Sequence, residues 1–251
     1  ASGSRGFFAL ADDNLAPPIL VKCDKKHGVP YVAVLSVAIT NMVLCVLPFE
    51  VVIVVDVFLL VSAYIMIFIS AMILRKKIPA DQIKFKIPGG YAFLCLICIV
   101  PILIGIFSFF INGTEYFIGG MIGIVSGPIL YYIWKRMYGG LAKKDPVGYP
   151  INPRTKLAVG DTRRMAFNFF VISLMGFIGK PWLYWFEGSD YYGAEDYYPE
   201  TYPDGILNKL FGNWEGMLGA IQISAYVFMA IAVILFVVSM TVEPKKGQAL
   251  K

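Results

Sequence analysis

The chain has 251 residues, of which 58% are hydrophobic and 16% are charged, and its formal net charge is +5. Soluble domains carry about 25% charged residues, so this composition argues against an ordinary soluble domain. The positive net charge does not indicate a nucleic acid partner, and none is expected. Its basic residues flank long apolar blocks, and lysine and arginine at such positions face anionic lipid headgroups.

Six apolar blocks are long enough to cross a bilayer, whose hydrocarbon core of about 30 Å needs about 20 helical residues. In chain order these predicted spans are residues 31–47, 51–74, 91–111, 116–134, 166–186 and 217–242. Backbone polar groups in lipid must be paired internally, so a span is a helix or a strand of a closed barrel. The blocks are too long for barrel strands and lack strict alternation. The sequence therefore predicts an all-α, polytopic transmembrane helix bundle with six membrane spans.

Lysine and arginine are sorted to one side of these six spans. Residues 1–29, the connectors 75–86 and 135–165, and the tail after residue 242 hold 20 of the 22 basic residues. The opposite side is acidic, and its loop 187–215 has seven acids and five tyrosines but only one base, Lys209. Because basic residues are retained in the cytoplasm, both ends of the chain are predicted to be cytoplasmic.

This topology divides the chain into five parts. They are a cytoplasmic segment (1–29), a region of four transmembrane helices (30–138), a cytoplasmic basic loop (139–165), two extra transmembrane helices with an acidic, tyrosine-rich outer loop at 187–215 (166–242), and a cytoplasmic tail (243–251). The chain begins at Ala1 without Met and without a signal-peptide pattern. We therefore expect a fragment whose N-terminal part is missing.

Asp56 is a carboxylate inside the second predicted span. It lies about 8 Å along that helix, short of the midplane at about 15 Å. Asp56, Ala63 and Ser70 recur every seven residues and share one stripe, which should face protein or water because lipid contact would cost a charged Asp about 3 kcal/mol or more. Two interpretations stay open: Asp56 lines an outer vestibule and attracts a cationic substrate or a proton, or it bonds to a neighbouring helix. Ser62 and Tyr64 are further candidates for the substrate pathway.

Small residues at four-residue spacing predict helix packing in two of the spans. They are Gly119, Gly123 and Gly127 in the fourth span and Gly216, Ala220 and Ser224 at the start of the sixth. Such spacing lets two helices approach closely, either within one chain or between two copies. A homodimer is therefore one use of these residues, and packing within the chain is the other.

The sequence predicts no cofactor or metal site. Cys95 and Cys98 form a CxxC inside an apolar span without a nearby His or a second pair, so both are interpreted as small packing residues. The acidic outer loop lacks the ligand spacing of a calcium loop. The chain has no HExxH, no His cluster and no nucleophile beside a base, so no catalytic site is expected.

Four stretches follow one another along the first part of the chain: "SRGFFALADDNLAPP" (4–18), "DKKHGVPYVAVL" (24–35), "VVDVFLLVSAYIMIFISAMILR" (54–75) and "FKIPGG" (85–90). In this order they resemble the amino acid–polyamine–organocation (APC) superfamily of permeases, in its amino acid and polyamine subgroup. The first is similar to the cytoplasmic segment after the eighth helix and the second to the start of the ninth. The third resembles the tenth helix, and the fourth resembles the connector before the eleventh.

The resemblance covers about residues 1–140 and implies that the first four spans are helices nine to twelve of an inverted-repeat (five-plus-five) transporter. In such transporters broken helices hold the substrate near the midplane, and those would be the first and sixth helices, upstream of this chain. The implied partners are an amino acid or polyamine substrate, membrane lipids and the missing N-terminal helices of the same protein. The two spans in 166–242 exceed the family pattern.

The leading hypothesis is therefore the C-terminal portion of a secondary active transporter that moves amino acids or related amines across the cell (plasma) membrane, as an antiporter or a proton symporter. The alternative is a non-transporting membrane scaffold or accessory subunit built from these six helices. A membrane enzyme ranks third.

Overall fold

The computed structural model describes residues 2–46, 49–79, 83, 88–188 and 206–242. Within these residues the chain is helical apart from turns and one isolated β-bridge. The helices are α1 (Ser2–Asp12), α2 (Tyr31–Leu44), α3 (Phe49–Lys77), α4 (Gly90–Ile111), α5 (Thr114–Tyr138), α6 (Asp161–Glu187), α7 (Ile206–Phe211) and α8 (Trp214–Val242).

Five of these helices, α3, α4, α5, α6 and α8, are long and apolar enough to cross a membrane. They lie where the second to sixth spans were predicted, and each runs up to five residues beyond the predicted block at its ends. The prediction of an all-α fold is therefore confirmed for the described residues, and five of the six predicted apolar spans are confirmed as long helices. The first predicted span coincides with α2, which has 14 residues and rises about 21 Å, less than the hydrocarbon core.

The shortest connection between two long helices is the pair Asn112–Gly113, which joins α4 to α5. Gly113 has a φ of 97°, a left-handed conformation that glycine adopts without a Cβ clash. The amide of Phe117 donates to the Gly113 carbonyl at 2.9 Å, so α5 starts at once after this residue. Two long helices are therefore joined by a single tight reversal.

The chain folds into two compact units, and the first comprises Ala1–Phe49, Val125–Gly176 and Ile223–Lys251. In it α1 and α2 pack together around buried Ala11, Ala16, Leu20 and Ala33. The segment between α5 and α6 is ordered within this unit, because an antiparallel bridge joins Ile151 to Ala158 and the Asn152 amide donates to the Val242 carbonyl at 2.9 Å. This connector, expected to be a basic loop, thus holds the end of α8.

The second unit comprises Glu50–Ile124 and Phe177–Gln222. Its interior contains a cluster of aromatic rings, in which Phe58 of α3 stacks on Phe109 of α4 with 4.3 Å between the ring centroids. Phe117 of α5 meets the Phe58 ring edge-on at 6.3 Å. The Trp182 indole N–H of α6 donates to the Phe110 carbonyl at 3.0 Å. Four helices are joined here by rings and by one indole hydrogen bond.

Candidate functional site

Asp56 lies on α3, seven residues after Phe49 and so about 10 Å along the helix. Its side chain is exposed, and so are Ala63 and Ser70 on the same stripe. The opposite face of α3 is the packed one, where Phe58 is 2% exposed. The stripe therefore points away from the helices that this chain packs against α3.

Ser62 and Tyr64 lie at other angles around α3 than Asp56. At about 100° per residue, Tyr64 lies about 80° from Asp56 around the helix, and Ser62 lies about 120° away in the other direction. The Ser62 hydroxyl donates to the Phe58 carbonyl of its own helix at 2.8 Å, whereas the Tyr64 side chain is 50% exposed. The three candidates therefore lie at different angles around α3, and each stays a separate hypothesis.

The glycines of α5 lie at different distances from neighbouring side chains. A Cβ added to Gly119 would lie 3.3 Å from the Val55 side chain, and one added to Gly123 would lie 3.0 Å from the Leu59 side chain. A Cβ at Gly127 would meet no atom of the described residues within 4 Å. Gly120, which was not among the predicted packing residues, has the tightest surroundings of the four, because a Cβ there would overlap the Phe58 ring.

The three small residues at the start of α8 are in different settings. The Gly216 amide donates to the Asn213 side-chain oxygen at 2.8 Å, which satisfies one of the first amides of the helix. Ala220 and Ser224 are half-buried. The most buried side chains of the first half of α8, at 4% exposure or less, are instead Trp214, Met217, Leu218, Ile221 and Ala225.

A hydrogen-bonded cluster around one carboxylate, which was not predicted from the sequence, joins three helices in the second unit. The Glu187 carboxylate, at the end of α6, accepts from the Thr114 backbone amide at 2.8 Å and from the Thr114 hydroxyl. The Trp214 indole N–H lies 3.0 Å from both the Glu187 carboxylate and the Thr114 hydroxyl oxygen. Thr114 is fully buried and Trp214 is 4% exposed. A negative group at the first residue of α5 also complements the positive end of the helix dipole.

A buried ion pair, also missed, joins α5 to α6 in the first unit. The Lys135 ammonium lies 2.7 Å from the Asp161 carboxylate, and the two side chains are 6% and 1% exposed. The Asp161 carboxylate also accepts from the Ala158 amide at 3.0 Å and from the Arg164 guanidinium at 3.3 Å. Charges buried to this degree are stable only when they are paired, so this pair fixes the start of α6 beside the end of α5.

Neither polar cluster was visible in the residue pattern, for a shared reason. Lys135 and Asp161 belong to a region that reads as a basic connector, and Glu187 to an acidic loop. Their roles depend on partners up to 73 residues apart. One weak signal was present for the ion pair, because Asp161 places an acid in the first turn of a long helix, where carboxylates are favoured.

The described residues contain no group of three His, Cys, Asp or Glu side chains placed to hold a metal ion. Cys98 is buried, Cys95 is half-buried, and Cys23 and Cys45 are exposed, all as free thiols.

Comparison with known protein families gives a match to the family described as amino acid permease, over residues 1–140. These are the residues over which the four sequence stretches resemble permeases, and they make up more than half of the chain. No solved structure matches the chain.

Proposed function

Since the chain belongs to the amino acid permease family, we propose that it forms the C-terminal portion of a secondary active transporter for amino acids or related amines. The family is one of membrane transporters, so the chain is an integral membrane protein with five candidate spans and not an enzyme. The observation that carries the proposal is the family match, which includes α1 to α5. The order of the four motif stretches supports an equivalence of α2 to α5 with helices nine to twelve.

We also count α2 as a sixth span, with both ends of the described chain in the cytoplasm. Its 14 residues are apolar and mostly exposed, and a short hydrophobic segment is accommodated by local thinning of the bilayer. The sorting of 20 basic residues to one side supports six spans, because five would place basic segments on opposite sides. We propose the plasma membrane as the location and the inverted-repeat fold as the architecture.

Asp56 is our candidate for a functional ionisable group, in an outer vestibule that attracts a cationic substrate or a proton. Its support is the exposed stripe it shares with Ala63 and Ser70, on the face of α3 opposite the packed one. A carboxylate facing lipid would be costly, so this face should meet water or further helices of the same transporter. The alternative role of Asp56, a hydrogen bond to a further helix, is equally compatible with its exposed position on α3.

A role of Gly119 and Gly123 in packing α5 against α3 is supported by their short distances to the side chains of Val55 and Leu59. Gly127, Gly216, Ala220 and Ser224 remain proposed packing positions, within one chain or in a homodimer. A non-transporting scaffold is the alternative function, and one observation favours it: Thr114 and Asp161, two of the most buried polar groups of the described chain, each bond to a residue of a neighbouring helix.

The test is uptake by the full-length protein in proteoliposomes, across a panel of amino acids and polyamines with and without a pH gradient. Concentrative uptake or exchange of at least one substrate is expected, and no transport across the panel would refute the proposal in favour of the scaffold.

Asp56→Asn should change the substrate affinity or the pH dependence of transport. Ser70→Ala, on the same stripe but without a charge, is the matched control. Unchanged kinetics and pH profile in Asp56→Asn, with normal folding, would end the vestibule role.

A further inference from the structure

A groove of about 370 Å³ runs along the surface of the first unit between α6 and α8. Ala166 and Ala232, each 4% exposed, form its floor. Phe167, Phe170 and Phe236 stand around them, and Arg163 lies at one end. The small side chains of Ala166 and Ala232 leave this space open, and the larger side chains of the phenylalanines form its walls.

The walls of this groove are apolar and exposed. Phe167 is 65% exposed and Phe170 is 43% exposed, although both lie in a helix that is apolar enough to cross a membrane. From Arg163 to Phe170 the helix rises about 10 Å, which is about two thirds of one leaflet of the hydrocarbon core. The groove therefore offers an apolar chain a continuous contact from one helix end into the leaflet.

Arg163 supplies a positive charge at the mouth of the groove. Its exposed guanidinium lies 5.7 Å from the centre of the Phe236 ring, a cation–π distance that holds it over the groove. In the described part of the chain no carboxylate lies within ion-pair distance of Arg163, whereas the adjacent Arg164 pairs with Asp161 at 3.3 Å. Among the described residues the charge of Arg163 therefore has no carboxylate partner, which suits it to an anion bound in the groove.

We propose that this groove binds an anionic phospholipid, with its phosphate at Arg163 and one acyl chain along Ala166 and Ala232. Both parts of the ligand have a complement: an apolar slot, and a guanidinium that bonds phosphate in a bidentate way. The segment 135–165 next to this end of the groove holds eight basic residues, and such segments lie at the anionic cytoplasmic leaflet. The site is distinct from the proposed transport pathway and does not depend on it.

The experiment is lipid retention by the full chain, purified from nanodiscs of equal phosphatidylglycerol and phosphatidylcholine and analysed by native mass spectrometry. The wild type should retain phosphatidylglycerol in preference to phosphatidylcholine. Arg163→Gln should reduce that preference about fivefold, the factor that corresponds to about 1 kcal/mol for one basic residue at an anionic surface. Arg154→Gln, a matched exposed arginine outside the groove, should leave the preference unchanged.

Ala232→Leu tests the slot by filling it, and it should abolish retention of the bound lipid. Because a larger residue at a buried position can also disturb folding, a second measurement uses Phe167→Trp on the exposed wall. The chain without this substitution gives the background from its four native tryptophans. After that background is subtracted, phosphatidylglycerol with brominated acyl chains should quench the added tryptophan more strongly than brominated phosphatidylcholine, and adding Arg163→Gln should remove the difference. Equal losses in Arg154→Gln and Arg163→Gln, no headgroup preference, or a second copy of the chain cross-linked at position 167 would overturn the proposal.

Discussion

Asp161→Asn should lower the free energy of unfolding by about 3–5 kcal/mol, the cost of leaving one member of a buried ion pair without its partner. The Lys135 ammonium is 6% exposed and, among the described residues, would keep the neutral Tyr131 side chain, whose hydroxyl lies 3.4 Å away and whose ring centre lies 5.4 Å away. The asparagine would also accept more weakly from the Ala158 amide, which lies 3.0 Å from the carboxylate. The loss therefore combines an unpaired charge with a weakened turn before α6.

Lys135→Met should have a smaller effect than Asp161→Asn. The buried carboxylate keeps two donors in that variant, the Ala158 amide and the Arg164 guanidinium. The double variant should be less destabilised than the sum of the two single variants, because the second change removes a charge that the first has left unpaired.

The assay is thermal unfolding of the purified protein in detergent, followed by tryptophan fluorescence. For a chain of this size about 1 kcal/mol shifts Tm by roughly 2–4 °C, so Asp161→Asn should lower Tm by about 6–20 °C. Lys144→Met is the matched control, since Lys144 pairs with Asp12 at 2.8 Å but both side chains are about half exposed. Exposed pairs contribute little, so its Tm should not change. The reasoning is refuted if Asp161→Asn shifts Tm no more than Lys144→Met, or if the single shifts add in the double variant.

Three further predictions concern the other contacts. Gly120→Ala should lower stability by about 1–3 kcal/mol through overpacking against the adjacent aromatic ring. Gly127→Ala, with open space around it, should leave Tm unchanged or raise it because alanine favours helix, and equal effects of the two would contradict the packing. Glu187→Gln should lower stability by about 1–3 kcal/mol, measured as Tm; an unchanged Tm would show that the cluster does not stabilise the fold. The hydrogen bond from His27 holds the pKa of Asp24 below its usual 3.8. The stabilising contribution of this hydrogen bond is therefore present above pH 3.8, and it is lost as the pH falls through the lowered pKa that Asp24 has in the folded protein. In an NMR titration His27→Ala should raise this pKa, and no change would exclude the histidine as the cause.

The helices of this chain were predictable because their signal is local. A block of about 20 apolar residues has few alternatives in a bilayer, and the five long helices lie within a few residues of their predicted positions. The ends were harder to place, because Asp161 and Thr162 are polar yet belong to α6 as its buried first turn. Polarity predicts a loop there, but a partner such as Lys135 makes the helical turn stable.

The contacts between helices were only partly predictable, because spacing within one helix does not reveal what the neighbouring helix presents. The four-residue repeat in α5 predicted packing at Gly119, Gly123 and Gly127, but it did not single out Gly120. That residue matters because α3 places the ring of Phe58 opposite it. The seven-residue repeat of Asp56, Ala63 and Ser70 predicted a shared stripe, and all three lie exposed. Its function stays a proposal, because it depends on which groups face the stripe in the transporter.

The polar clusters bear on how the two additional helices relate to the permease-like part. Thr114 belongs to the residues that match the family, yet its backbone amide bonds to Glu187 and its hydroxyl oxygen to Trp214, both outside the match. Lys135 belongs to the match as well, and its buried partner Asp161 does not. A buried polar group without its partner costs about 1–3 kcal/mol, and a charge costs more. Residues 161–242 therefore supply buried polar partners to Thr114 and Lys135 in the family-like helices, and these contacts contribute to the stability of those helices.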